Sequence, residues 1–72
     1  MAEHQFTLKN DIEFIALDKL LKLMRVVGSG GEAHAVIKDE MVHVNGNLET
    51  QKRKKLRAGD TVKFNGETIK VV

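Results

Sequence analysis

The sequence predicts an α+β domain in which a two-helix hairpin packs on a small, mostly antiparallel β-sheet. Three observations predict it. Residues 17–24 carry a leucine stripe at helical spacing, Ser29 begins a Ser-x-x-Glu helix start, and Asn-Gly turns at 45–46 and 65–66 sit between short alternating apolar runs. With 72 residues the chain is expected to form one domain over residues 1–72. A domain of this size buries only about 60% of the surface its unfolded chain exposes, so its core has little to spare. The chain has no cysteine, which excludes a disulfide staple and a thiolate metal site.

Gln5-Phe6-Thr7-Leu8 and Ile12-Glu13-Phe14-Ile15 alternate briefly between polar and apolar, as short strands do, and at least one of them is read as an edge strand. In the first helix Leu17, Leu20, Leu21 and Met24 fall at i, i+3, i+4 and i+7, with Lys19, Lys22 and Arg25 along the opposite side. Gly28-Ser29-Gly30-Gly31 is expected to stop it, because glycine tolerates the left-handed conformation that ends helices. Ser29 and Glu32 form a capping box in which the glutamate reaches back to the Ser29 amide. The second helix then runs from about Gly30 to Asp39, with Ala33, Val36 and Ile37 inward and His34 and Lys38 outward. Neither helix is long enough to hold by itself in water, so both must dock.

Met41-Val42-His43-Val44 alternates as a strand with Val42 and Val44 on one face. A three-residue turn at Asn45-Gly46-Asn47 is expected, pairing Val44 with Leu48 and Val42 with Thr50, since a two-residue turn would set Leu48 opposite His43. Asn65-Gly66 as a type I′ turn pairs Val62 with Ile69 and Phe64 with Glu67, putting Val62, Phe64, Ile69 and Val71 on one face. Between Thr50 and Ala58-Gly59-Asp60 lies a basic segment in which Leu56 alone looks core-facing.

That segment gives the chain its polarity. Lys52-Arg53-Lys54-Lys55-Leu56-Arg57 holds five of the twelve basic residues, and the remainder carries 7 basic against 10 acidic residues, a net of −3. A slightly acidic body with one cationic stretch attracts a polyanion even though the whole chain is only +2. The candidate binding surface is Lys52, Arg53, Lys54, Lys55 and Arg57, supplying cations to phosphate. Ser29, Gly30 and Gly31 would offer unpaired amides at a helix start, Asn45 and Gly46 a loop that approaches closely, and Lys38, His34 and Lys22 further cover. Phe6, Phe14 and Phe64 fall at apolar strand positions, and there is no Trp or Tyr, so stacking platforms for loose bases are not expected. Arg53 is the leading candidate for stacking.

The order of these pieces resembles the S4 domain, the RNA-binding domain called after the fourth protein of the small ribosomal subunit. The resemblance rests on Leu17-Asp18-Lys19-Leu20-Leu21, Gly28-Ser29, Ala33 to Ile37, Val42-His43-Val44-Asn45-Gly46 and Gly59-Asp60, and covers roughly residues 17 to 64. Many family members carry an arginine directly after the serine that opens the second helix, where this chain has Gly30, so one phosphate contact of the family is missing. In its Ser-Gly-Gly opening the chain is similar to short, stand-alone bacterial members. The resemblance implies an S4-like, αL-type RNA-binding fold and non-catalytic binding of structured RNA, ribosomal or transfer RNA, by a monomer.

Other classes fit less well. Ser29 is the single serine and already serves as a cap, no carboxylate pair falls on core-facing positions, and an enzyme is not expected. His34 and His43 lack a third ligand, so neither a metal nor a cofactor is expected. DNA is disfavoured because the second helix presents only His34 and Lys38 to a groove. The alternative is a protein-interaction module docking its basic segment on an acidic partner, and an additional protein partner is compatible with RNA binding. No apolar run approaches the roughly 20 residues of a membrane span. Met1–Gln5 lacks the basic-then-apolar order of a secretion signal, so a cytoplasmic location is expected.

Overall fold

The computed structural model describes residues 2–9 and 11–72. In chain order the elements are β1 (Ala2–Phe6), β2 (Ile15–Ala16), α1 (Leu17–Leu23), α2 (Gly30–Lys38), β3 (Val42–Val44), β4 (Asn47–Leu48), β5 (Lys55–Leu56), β6 (Thr61–Phe64) and β7 (Glu67–Val71). Five strands form one sheet in the order β1-β7-β6-β3-β4, and β2 pairs with β5 in a separate two-stranded ribbon. The expected α+β architecture is the one observed. All pairings are antiparallel except β1 with β7, where Phe6 lies beside Val71. Of the two N-terminal alternating segments, the first gives Gln5 and Phe6 to the parallel edge strand and the second gives only Ile15 to β2.

One core joins the layers. Leu17, Leu20 and Leu21 of α1, Ala33 and Ile37 of α2, Val42 of β3, Leu56 of β5 and Val62 of β6 are fully buried, with Ile69 and Val71 of β7 nearly so. At about 25 cal/mol per Å² of apolar surface, this shared burial is what lets helices of 7 and 9 residues persist. The C-terminal hairpin has the expected register, Val62 with Ile69 and Phe64 with Glu67, and Asn65 and Gly66 both take positive φ, 51° and 80°.

Three local expectations are corrected. First, the turn after β3 has two residues. Val44 pairs with Asn47 and His43 with Leu48, and Asn45 and Gly46 take φ of 53° and 83°. A three-residue turn would put Leu48 on the buried face with Val42 and Val44. But β4 is an edge strand exposed on both sides, Leu48 is 46% exposed, and the primed turn wins on backbone twist.

Second, α1 ends at Leu23, before the glycines. Its left-handed residue is Arg25, at φ 58°, whose amide donates to the Lys22 carbonyl while Val26 donates to Leu21. A non-glycine residue accepts this conformation, at a cost of about 1–2 kcal/mol, so that Val26 and Val27 turn back onto the core. Third, in the capping box Ser29 Oγ accepts from the Glu32 amide at 3.2 Å, but the Glu32 carboxylate accepts from Gly28 rather than Ser29.

Candidate nucleic-acid interface

A cationic stretch in a loop would ordinarily be loose, since like charges repel along it. Here the backbone fixes it. Ala16 offers α1 no side-chain cap, and the first helical amides find carbonyls in the basic segment instead. Leu17 N–H donates to the Lys54 carbonyl and Asp18 N–H to that of Lys52, both at 2.9 Å. The segment thus caps the helix with its own peptide groups and is left with its side chains outward. Leu56 is fully buried opposite Ile15 in the β2–β5 pair and pins the far end. Lys52, Arg53, Lys54, Lys55 and Arg57 are all exposed. The ion pairs among the described residues, His4–Glu67, His34–Asp18 and Lys70–Glu3, use none of them.

On one side of this segment α2 completes a groove of about 550 Å³ lined by His34, Ile37, Lys38, Thr50, Gln51, Lys52 and Arg53. Four residues named from the sequence therefore meet across two elements that are more than a dozen residues apart. His34 is not a free outward side chain as expected. Its Nε2 lies 2.8 Å from Asp18 Oδ2, with the histidine side chain 38% exposed and the aspartate 16%. Burial works to raise the Asp18 carboxyl, but the His34 hydrogen bond, the Lys19 amide and the nearby His34 and Arg53 outweigh it and hold it below the ordinary value of 3.8. An ionised carboxylate only accepts, so it draws the Nε2 proton toward itself and fixes the ring in the groove wall.

A second carboxylate organises the other side. Asp60 Oδ2 accepts from the Arg57 amide at 2.8 Å and Oδ1 from Asn45 Nδ2 at 2.9 Å, while Asn45 Oδ1 accepts from the Thr61 amide at 2.9 Å. These bonds, the Arg57 amide first, with the nearby Lys54 and Arg57 charges, outweigh burial and lower the Asp60 carboxyl below 3.8. Asn45 was expected to have its amide available to a ligand. Instead both ends of that amide brace the β3–β4 turn against the Gly59-Asp60 turn, whose Asp60 carboxylate feels the Lys54 and Arg57 charges. No atom lies within 4 Å of where a Gly46 side chain would begin, so the turn is open to solvent.

The remaining candidates lie elsewhere. Lys55 points away from the groove, its Nζ 5.0 Å from the centre of the Phe14 ring. Ser29, Gly30 and Gly31 lie at the opposite end of α2 from Lys38. The Glu32 carboxylate already stands at that helix start. Lys22, exposed in the last turn of α1, follows Asp18 by one turn along the helix face that meets α2.

Phe14 corrects the sequence reading. It belongs to no strand and is 39% exposed, because β2 begins only at Ile15. Asp18 and Asp60, which set the geometry, were missed as site residues. A hint existed in Asp18, an acidic residue in a first helical turn, but its partner is sixteen residues away. Among the described residues no group of three or more metal-ligating side chains occurs, and no helix is long and apolar enough to cross a membrane.

These features define a class: a small α+β module whose helical hairpin carries a backbone-anchored cationic segment on its flank. The chain belongs to the S4 domain family, whose profile matches residues 6–72. It is similar to the Escherichia coli (strain K12) protein named "Putative RNA-binding protein YbcJ", at 43% identity over 58 residues, 81% of this chain and 83% of that one. It is also similar to the "Probable ribosome maturation protein RlbA" of Bacillus subtilis (strain 168), at 38% over 56 residues, 78% and 79% of the two chains. The solution structure of YbcJ, described as revealing an ALFAL motif involved in RNA-binding, superposes with a TM-score of 0.73 at 40% identity, covering 94% of this chain and 85% of that one.

Proposed function

We propose that this chain binds structured RNA as a cytoplasmic monomer and without catalysis, gripping phosphate backbone with Lys38, Lys52, Arg53, Lys54 and Arg57. The observation that carries the reading is the capping of α1 by the Lys52 and Lys54 carbonyls. It fixes the backbone of the cationic run, so less backbone entropy is lost when a polyanion binds. His34 and Asp18 shape the groove between Lys38 and Arg53, Asn45 and Gly46 set the opposite margin, and Arg53 is the planar cation able to stack on a base. Lys22 extends the surface along α1. Ser29, Gly30 and Gly31 contribute least, because Glu32 already places a negative charge there. The names of the relatives, one an RNA-binding protein and one a ribosome maturation protein, favour ribosomal RNA over transfer RNA.

The test is salt-dependent binding to a folded ribosomal RNA fragment. If four or five phosphates are neutralised, log K falls against log salt with a slope of roughly −3 to −4.5. Changing Lys52, Arg53, Lys54 and Lys55 together to Ala should abolish binding and leave the circular dichroism spectrum intact. A slope near −1, or a large cellular complex that survives RNase, would instead point to a protein partner on the basic segment.

A further inference from the structure

The N-terminal connection builds a second concavity, away from the cationic groove. It has about 460 Å³ and is lined by Phe6, Leu8, Ile12, Phe14, Ile15 and Leu23, with Lys9 and Lys19 at its margin. Three large apolar residues are left exposed along it, Ile12 at 45%, Phe14 at 39% and Leu23 at 51%. Clustered exposure of this kind costs solubility and marks a contact surface more often than chance scatter does. From Phe6 β1 leads away from it, Ala2 pairing with Glu67 at the opposite end of β7.

Charge and shape decide the occupant. The charged residues that line the groove are both lysines, and a third, Lys55, rests over Phe14. Asp11 and Glu13 alternate with Ile12 and Phe14 but do not line it. A second copy would bring lysine margin against lysine margin, so self-association is opposed. A flat bilayer does not enter a concavity. An unpaired base wants planar faces to stack on, but Phe14 already carries the Lys55 ammonium over its ring and Phe6 is partly buried; Leu8, Ile12, Ile15 and Leu23 are aliphatic and accept the branched ridge of a helix. We propose that this groove docks an acidic amphipathic helix of a protein partner, its apolar stripe seated between Phe14 and Leu23 and its flanking carboxylates on Lys9, Lys19 and Lys55. Lys55 belongs to the basic segment, so the docked helix would lie at the edge of the RNA-binding face without covering it.

The test is an amide chemical-shift titration of the full chain with a synthetic Glu/Leu/Ala amphipathic helix of about 15 residues, run beside its sequence-scrambled control and a single-stranded RNA. Expected are shifts concentrated at residues 6–9, 12–16 and 19–23, absent with the scrambled peptide. Leu23→Glu, on an exposed position, should weaken the peptide by about tenfold, and Lys19→Glu should weaken it further, while both variants keep the wild-type spectrum elsewhere. Shifts confined to residues 52–57 would overturn the proposal by showing mere attraction to the cationic segment. So would movement of Phe14 with RNA alone, concentration-dependent shifts without any peptide, or no shift at all.

Discussion

Replacing Asn45 in two ways separates its backbone role from its side-chain role. The residue sits at φ 53° in a two-residue turn, and its amide makes two hydrogen bonds, to Asp60 Oδ1 and from the Thr61 amide. Both bonds are exposed, so each lies toward the low end of the usual 0.5–1.5 kcal/mol, and the pair is worth about 1–2 kcal/mol. Asn45→Gly loses the bonds but accepts the left-handed conformation freely. Asn45→Ala loses the bonds and adds a backbone penalty of about 1 kcal/mol. The expected order of stability is wild type, then Gly, then Ala, with Ala down by about 2–3 kcal/mol. In a domain this small each kcal/mol lowers the melting temperature by about 4–8 °C. Urea unfolding at 25 °C with an unchanged m-value measures the difference, and RNA affinity measured well below the melting temperature should change little. Wild-type stability in both variants would refute the bracing role. Unchanged stability with lost RNA affinity would show that Asn45 is a ligand contact and not a brace.

Acid should weaken the same corner. Because folding lowers the Asp60 carboxyl below 3.8, its contribution to stability is whole above that value and is lost as pH falls through the folded-state value. The urea midpoint should therefore drop on acidification below about pH 4, and less steeply in Asp60→Asn. Leu56→Ala opens a cavity beneath the basic segment and should cost about 2–5 kcal/mol; in the folded fraction it should also weaken RNA binding, by loosening the segment that caps α1. Leu48→Lys tests the two-residue turn. With Leu48 exposed opposite His43, stability should stay within about 0.5 kcal/mol of wild type, whereas the register that buries it predicts a severe loss.

What residues next to one another in the chain can settle was legible in the sequence. The Leu17, Leu20 and Leu21 stripe, the Ser29 cap, and the pairing of Val62 with Ile69 across Asn65-Gly66 all follow from helical period, short-range hydrogen bonding and turn twist. So does the concentration of charge at Lys52–Arg57, and the order of these pieces was enough to suggest the S4 family. Tertiary structure alone decided what depends on a distant partner. β1 runs parallel to β7 although no nearby residue indicates it, and α1 takes its cap from carbonyls more than thirty positions further on. His34 is turned to Asp18, Asn45 to Asp60, and Phe14 is left outside because β2 starts one residue later. Side-chain pattern reports which face of an element wants burial. Which other element arrives to cover that face is set by global packing, and the edge strand around Leu48 is covered by none.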